Sequence, residues 1–295
     1  MGWEFMKWTI NELHGGMLIR DYLQELNGFS RRLLKDVKFD GGEITVNNIP
    51  QTVRYQLMVG DLLEVQFPPE KIGPSMHPEN IDLPIVYEDD SIIVIDKPTG
   101  MATIPSFNHP MGTVANGVLG YYVKRKIPYT IHVVTRLDRD TSGLVLIAKH
   151  RYSHSLLAAS QAAGKVERKY LAMIEGQLDV TEGTIDAPID RKEGSIIERA
   201  VKETGKSAVT HYKEIKSSQG HSLLEIELET GRTHQIRVHF SYIGHPLAGD
   251  DLYGGSKNEI ERQALHCCEL CFVHPFTGKV IRLKSPLPTD IQQII

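Results

Sequence analysis

The feature that most constrains the fold is a polar octet between two apolar runs. Residues 136–143, Arg-Leu-Asp-Arg-Asp-Thr-Ser-Gly, lie between residues 131–134 and residues 144–148. Both runs are short and aliphatic or β-branched, which is typical of buried strands. Because two buried strands hold its ends, the octet is predicted to be a fixed, charged connection at the edge of a core. Such a connection can present side chains to a substrate.

The octet is similar to the central motif of the RluA-type RNA pseudouridine synthases, commonly His-Arg-Leu-Asp-x-(Asp/Glu)-Thr-Ser-Gly-Leu. Asp138 stands where that family has its catalytic aspartate. Thr135 departs from the pattern, since the family usually has His there. The resemblance implies that Arg136 fills the gap left by a flipped base and contacts phosphate. Without the resemblance, the octet is interpreted as a solvated turn with salt bridges.

Two predicted strands carry further residues that match the family. Residues 96–100, Asp-Lys-Pro-Thr-Gly, end a strand and resemble the first motif. Lys97 is interpreted as a structural lysine, with a catalytic amine and a phosphate contact as alternatives. Residues 165–174 alternate sides like a strand and resemble the family's Lys-Tyr motif at Tyr170. The resemblance implies that Tyr170 stacks on the uracil and helps to remove the C5 proton; the alternative is a tyrosine packed in a sheet.

The third motif lies at the start of a predicted helix. Residues 231–237, Gly-Arg-Thr-His-Gln-Ile-Arg, match the family pattern without a departure. Thr233 is predicted to cap the helix. The family pattern implies that Arg237 is the guanidinium partner of Asp138, because guanidinium groups align carboxylates well.

The N-terminal part reads as a separate small unit. Residues 13–68 are predicted to form two helices and short strands, and they resemble an S4 RNA-binding domain with an αα-β arrangement. Residues 69–84, rich in Pro, are predicted to be a flexible linker to a catalytic domain over residues 85–295. Basic residues on the second helix are expected to hold RNA phosphates, with a serine as the helix cap. These candidate RNA-binding residues are Ser30, Arg31, Arg32, Lys35 and Lys38.

Composition limits the class of protein. The 295 residues are 41% hydrophobic and 24% charged, as in ordinary globular proteins. No apolar run is long enough to span a bilayer, and residues 1–16 do not read as a secretory signal, so a cytoplasmic location is expected. Because the formal net charge is −4, an RNA-binding surface has to be a local basic face.

A cysteine-rich segment invites a metal interpretation. His266, Cys267, Cys268 and Cys271 lie close together, but structural zinc needs four ligands at suitable spacing. Buried thiols in a predicted strand over residues 264–273 are therefore expected, and no metal. The reaction that the resemblance implies, isomerisation of uridine to pseudouridine, is redox-neutral. The sequence also has no GxxxxGK[ST] loop, so no cofactor is expected.

The resemblance implies an α+β pseudouridine synthase fold, with a largely antiparallel mixed sheet and flanking helices. It also implies the isomerisation of uridine in structured RNA: the N1–C1′ bond breaks, the uracil turns, and C5 bonds to C1′. Three roles of Asp138 stay open, namely attack on C1′, attack on C6, and removal of the C2′ proton. The expected partner is ribosomal RNA, with transfer RNA as another possibility, and the protein is expected to be a monomer.

Two other functions compete with this one. Asp138 and Asp140 resemble the carboxylate pair of a glycoside hydrolase. A non-catalytic RNA-binding or ribosome-assembly protein would use the same basic helix but would not need Asp138, Tyr170 or Arg237.

Overall fold

The computed structural model of the chain describes residues 5–74, 76–107, 109–218 and 220–294. Residues 1–4, part of the stretch examined for a secretory signal, lie outside this description. The N-terminal elements are β1 (Phe5–Thr9), α1 (Ile19–Asp21), a π-helical turn (Tyr22–Leu26), α2 (Arg31–Phe39), β2 (Glu43–Val46), β3 (Ile49–Pro50) and β4 (Leu62–Gln66).

The remaining elements belong to a larger unit. They are β5 (Ile85–Glu88), β6 (Ile92–Lys97), α3 (Val114–Arg125), β7 (His132–Val133), β8 (Ser142–Ala148), α4 (Arg151–Ala162), β9 (Val166–Glu175), β10 (Glu182–Asp186), β11 (Ile189–Arg191), β12 (Arg199–Val201), β13 (Val209–Ser218), β14 (His221–Leu228), α5 (Gln235–Tyr242), a 3-10 turn (Asp251–Tyr253), β15 (Leu265–Val273), β16 (Val280–Lys284) and α6 (Thr289–Gln292). Among these described helices, none has the length and apolarity needed to cross a bilayer.

The N-terminal unit is built on an antiparallel sheet in the order β1-β4-β2-β3. Apolar residues of this sheet and of the helices beside it form a core of their own. Strand β1 lies outside the predicted unit, which starts at Leu13, yet Phe5–Thr9 pairs with β4 along its whole length. The first of the two predicted helices is not one regular helix. Instead, α1 leads into the π-helical turn, where Asn27 Nδ2 donates to the carbonyl of Tyr22 at 3.0 Å.

Ten strands of the described chain form one large mixed sheet, whose main path is β10-β13-β14-β9-β15-β8-β6-β5. Strand β16 pairs with β15, and β7 pairs with β8. The pairings are antiparallel except that of β15 with β8, which is parallel. The predicted α+β fold with a largely antiparallel mixed sheet is therefore confirmed. Strands β6 and β8 are buried along nearly their whole length, which explains their continuous apolar runs.

The polar connection is shorter than the octet predicted over residues 136–143, because Ser142 and Gly143 already belong to β8. Gly143 pairs with Lys97 of β6 on one side and with Cys267 of β15 on the other. Its φ is +110°, and a Cβ there would lie 2.3 Å from the carbonyl oxygen of Cys267. Only glycine fits this junction of three strands.

The N-terminal unit packs directly against helix α4. The ring of Tyr152 on α4 lies with its centroid 4.9 Å from that of Phe29 and 5.2 Å from that of Phe67. The Tyr152 hydroxyl also donates to the carbonyl of Asn27 at 3.0 Å. The core of the small unit thus includes a residue of the large one.

Charged side chains reinforce this contact at the start of the predicted linker. Glu70 accepts from the amide of Arg151 at 2.9 Å and lies 3.0 Å from His132 Nε2, while Arg151 Nη1 lies 3.3 Å from Asp36 Oδ2. Burial of Glu70 opposes ionisation, but hydrogen bonds from His132 and Arg151 lower its pKa to about 2. The expectation of a freely flexible tether is wrong for this segment, because the linker itself is anchored by these contacts.

The cysteine cluster lies on β15. Cys267 and Cys271 are buried and Cys268 is half-buried. Burial raises the pKa of Cys267 to about 12 and that of Cys268 to about 11, so both thiols stay protonated. The prediction of buried thiols is confirmed for Cys267 and Cys271.

Candidate active site

The connection that carries Asp138 is held through its backbone carbonyls. Thr103 Oγ1 donates to the carbonyl of Leu137 at 2.8 Å, and the amide of Thr141 donates to that of Asp138 at 3.2 Å. The next two carbonyls accept from Lys97, Thr99 and Arg262. Because each carbonyl from residue 137 to residue 140 is bonded, the position of the carboxylate is fixed by the sheet and its loops.

Lys97 has a structural role in this arrangement. Its side chain is 1% exposed, and Nζ donates to the carbonyls of Pro98, Met101 and Arg139 at 2.9, 2.8 and 2.9 Å. Burial lowers the pKa of Lys97 to about 7, although nearby Asp140 favours the ammonium. The interpretation as a structural lysine agrees with these contacts, whereas a phosphate contact does not, because Nζ is enclosed by protein.

Arg237 joins two carboxylates. Its Nε and Nη2 donate to Asp250 Oδ2 and Oδ1 at 2.6 and 2.7 Å, and its Nη1 donates to Asp138 Oδ2 at 3.2 Å. Burial opposes its charge, but the bonds to Asp250 raise the pKa of Arg237 above its ordinary value. The implied contact between Arg237 and Asp138 is therefore present, while the bidentate face of the guanidinium serves Asp250.

Helix α5 begins differently from the prediction. His234, not Thr233, is the N-cap residue, and its side chain makes no capping hydrogen bond. The turn before the helix is held instead by Gln235, whose Oε1 accepts from Arg232 N at 2.9 Å and from Thr230 Oγ1 at 2.8 Å. The buried side-chain amide of Gln235 therefore stabilises the turn before α5, where the sequence predicted a threonine cap.

His234 and Tyr253 complete the surroundings of the carboxylate. His234 Nε2 lies 3.7 Å from Asp138 Oδ2, and His234 Nδ1 lies 2.8 Å from the Tyr253 hydroxyl. The Tyr253 hydroxyl accepts from the amide of Arg199 at 2.9 Å. The ring of Tyr253 also lies under the guanidinium of Arg237, with its centroid 4.9 Å from Cζ.

Tyr170 forms an inner wall of the pocket. It is 4% exposed, and burial raises its pKa well above the ordinary value, so its phenol is neutral. The guanidinium of Arg168 lies 6.0 Å from its ring centroid. The residues that line the pocket are Arg136, Leu137, Asp138, Thr141, Arg168, Tyr170, Leu228, Gly231, Arg232, His234, Gln235, Ile236, Arg237 and Leu265.

The structure thus brings four predicted residues, Arg136, Asp138, Tyr170 and Arg237, to one pocket. Arg136 is exposed at its edge. Thr135, which replaces the family's usual His, is buried, and its Oγ1 accepts from the amide of Leu146 at 2.9 Å. It therefore supports the strand before the loop and does not face the pocket.

The predicted RNA-binding residues lie elsewhere, on helix α2 of the N-terminal unit. Ser30 is the N-cap, as predicted: its Oγ accepts from Leu33 N at 3.1 Å, and its amide donates to Ser155 of α4 at 2.9 Å. The four basic side chains are exposed on the face opposite the buried Leu33 and its neighbours. These side chains are those of Arg31, Arg32, Lys35 and Lys38.

Three members of this site were not predicted from the sequence, namely Asp250, Tyr253 and His234. A signal for Asp250 was available, since a buried arginine beside one carboxylate usually needs a further anion or acceptor. Nothing in the spacing indicated which of the acidic residues would supply it.

Residues 91–242, which carry Asp138, Tyr170 and Arg237, match the RNA pseudouridylate synthase family. The chain belongs to this family, and its reaction is the isomerisation of uridine to pseudouridine in RNA.

Particular relatives cover most of its length. YjbO of Bacillus subtilis (strain 168), named an uncharacterized RNA pseudouridine synthase, is 48% identical over 279 residues, covering 95% of this chain and 98% of that protein. Ribosomal large subunit pseudouridine synthase D of Pseudomonas aeruginosa is 42% identical over 228 residues, covering 72% of this chain and 70% of that protein. The structure of Human RNA Pseudouridylate Synthase Domain Containing 1 shares the fold, with a TM-score of 0.58 at 22% identity over 73% of this chain and 86% of that one.

Proposed function

We propose that the enzyme modifies uridine in large-subunit ribosomal RNA and that Asp138 is its essential carboxylate. The observation that carries the second part is the contact between Asp138 Oδ2 and Arg237 Nη1 at 3.2 Å, in a pocket that Tyr170 also lines. The RNA target rests on relatives named ribosomal large subunit pseudouridine synthase D. A target of this kind favours a cytoplasmic enzyme, and we propose that it acts as a monomer.

The reaction sets the tasks of the pocket. The N1–C1′ bond breaks, the uracil turns, C5 bonds to C1′, and the C5 proton is finally lost while N1 gains one. Asp138 acts on the ribose or the uracil as nucleophile or base, and Arg237 keeps the carboxylate aimed. Because Tyr170 is a neutral phenol, its role is to pack against the uracil, and it removes a proton only if another group accepts its own.

The other proposed contacts concern RNA outside the pocket. Arg136 is exposed beside Asp138 and suits the space that the target base leaves when it flips out. The basic face of α2 suits phosphates, which it would bind without reading sequence. We propose that residues 13–68, together with β1, act as an S4-like RNA-binding domain, joined by residues 69–84 to a catalytic domain over residues 85–295.

Tritium release from RNA labelled at uridine C5 tests the carboxylate. The RNA is prepared from cells that lack this gene, and wild type is compared with Asp138→Asn. Wild type should release tritium, and the variant should lose activity by at least about a thousandfold while still binding RNA. Asp140→Asn is the matched control: the Asp140 carboxylate accepts from Arg139 Nε at 3.1 Å, and Asp140 is not among the described residues that line the pocket.

The outcomes separate the competing functions. Release of free uracil by wild type, without release of tritium, would favour a carboxylate pair like that of a glycoside hydrolase, because hydrolysis leaves the C5–H bond intact. No release by wild type, with RNA still bound, would favour the assembly protein. Mapping of pseudouridine in RNA from the deletion strain tests the target: the missing site should lie in large-subunit ribosomal RNA, and a missing transfer RNA site would contradict that part.

A further inference from the structure

The contacts of the Asp138 carboxylate with Arg237 and His234 fall on the same oxygen. Arg237 Nη1 lies 3.2 Å and His234 Nε2 lies 3.7 Å from Oδ2. Among the residues that the structure describes, none contacts Oδ1 by a hydrogen bond or ion pair. One oxygen is thus set between two nitrogen atoms, and the other stays available to the substrate.

The partner of His234 fixes which ring nitrogen carries the proton. Burial raises the pKa of Tyr253, so its phenol keeps its single proton. The phenol oxygen accepts from the amide of Arg199 at 2.9 Å, and the one described acceptor within reach of its proton is His234 Nδ1 at 2.8 Å. Nδ1 therefore accepts, and in a neutral imidazole the proton lies on Nε2, which faces Asp138.

The imidazole is neutral despite the acidic residues near it. Burial lowers the pKa of His234, as do Arg237 and Arg199, whereas Asp138 and Asp250 oppose this shift. Within the part of the chain that the structure describes, Tyr253 is the remaining titratable group in contact with the ring. Its hydroxyl, as a donor to Nδ1, also favours the neutral form.

The backbone supplies an independent observation. His234 has φ +58° and ψ 20°, the left-handed conformation that a residue with a Cβ rarely adopts. Such strained residues cluster at functional sites, where surrounding contacts over-determine them. His234 adopts this conformation at the start of α5, and its ring lies between Tyr253 and Asp138.

We propose that His234 is a positioning residue whose Nε2–H donates to Asp138 Oδ2 during the reaction, in a tautomer fixed by Tyr253. The inference rests on the proposed role of Asp138. Closing the gap from 3.7 Å to a hydrogen bond takes a shift of about 0.8 Å, of the kind that substrate binding commonly brings. With Oδ2 held by His234 and Arg237, Oδ1 is the oxygen that meets the ribose or uracil.

Nitrogen-15 NMR of the full chain with labelled histidine tests the tautomer without any assay of activity. The His234 signals are assigned by their loss in His234→Asn, a residue type that tolerates the left-handed conformation. At neutral pH, Nε2 should carry the proton and Nδ1 should not, and Tyr253→Phe should mix the two tautomers. A proton on Nδ1, or an imidazolium, would overturn the proposal even if Asp138 proves essential.

Single-turnover tritium release tests the effect on the reaction. His234→Asn should slow the rate about tenfold with unchanged RNA affinity, and should move the acid limb of the pH–rate profile to higher pH, because the carboxylate loses a donor. Tyr253→Phe should show the same shift with a smaller loss, and Tyr242→Phe, at an exposed tyrosine of α5, should match wild type. A slower His234→Asn enzyme with an unchanged pH profile would reduce His234 to a structural role and contradict the proposal. Full activity of Asp138→Asn would instead refute the proposed function itself.

Discussion

The pocket around Asp138 and the basic face of α2 differ in how their charges are held. Arg237 is buried and its guanidinium makes three hydrogen bonds to two carboxylates, whereas Arg31, Arg32, Lys35 and Lys38 lie exposed on their helix. A fixed guanidinium suits one geometry at a reacting centre. Mobile surface cations suit phosphates of many geometries, and each contributes little. Substitutions in the pocket should therefore act on rate, and those on α2 on affinity.

After Asp138→Asn, the largest effect within this comparison is expected from Asp250→Asn. The amide cannot replace the bidentate, charged contact to Arg237, so the guanidinium loses its alignment toward Asp138. The single-turnover rate should fall by about a hundredfold with little change in RNA affinity.

Asp251→Asn is the matched control, since the neighbouring Asp251 is exposed and pairs with Lys257 outside the pocket. A wild-type rate for Asp250→Asn would show that the pocket holds Arg237 by other means, and it would remove the contrast between the two regions.

An intermediate effect, on the free energy of unfolding, is expected at the contact between the N-terminal unit and the larger unit. Glu70→Gln should lower the free energy of unfolding at pH 7 by about 2 kcal/mol, because the contacts with His132 and Arg151 lose their charge. The pKa of Glu70 is lowered in the folded state to about 2, so its contribution is complete above the ordinary pKa near 4.5 and is lost as pH falls toward 2.

Urea unfolding of wild type and variant between pH 2 and pH 4.5 checks the direction of this pH dependence. The difference between the two proteins should shrink as the pH drops from 4.5, with Glu12→Gln, at an exposed position, as control. A difference that grows on acidification would mean that the carboxylate is not the stabilising form.

The smallest effects are expected on α2. Replacing Arg31, Arg32, Lys35 or Lys38 singly by Ala should weaken RNA binding about two- to fivefold and lower the salt dependence by roughly one phosphate contact each. The rate at saturating RNA should not change. Lys279→Ala, at an exposed position of the β15–β16 connection, should leave binding unaltered; equal losses there would mean that α2 is not a specific contact surface.

The predicted residues of the pocket lie in sequence motifs, and apolar runs beside these motifs indicate the neighbouring strands. Asp138, Tyr170 and Arg237 come from the β7–β8 connection, β9 and α5, and the sheet with the helix packed against it brings them together. The contact between Arg237 and Asp250 could not be predicted, since it depends on how the chain turns after α5. The same holds for Tyr152, whose sequence context indicates only a helix, although its ring packs into the core of the N-terminal unit.

Gly143 has a genetic consequence. Every other amino acid carries a Cβ, and at this residue that atom would lie 2.3 Å from the carbonyl oxygen of Cys267. The clash is with backbone at the parallel pairing of β15 with β8, so a rotamer change does not relieve it. Codon 143 therefore has no conservative missense mutation: alanine and serine are excluded for the same reason as tryptophan, and only synonymous changes preserve the junction that holds the Asp138 connection.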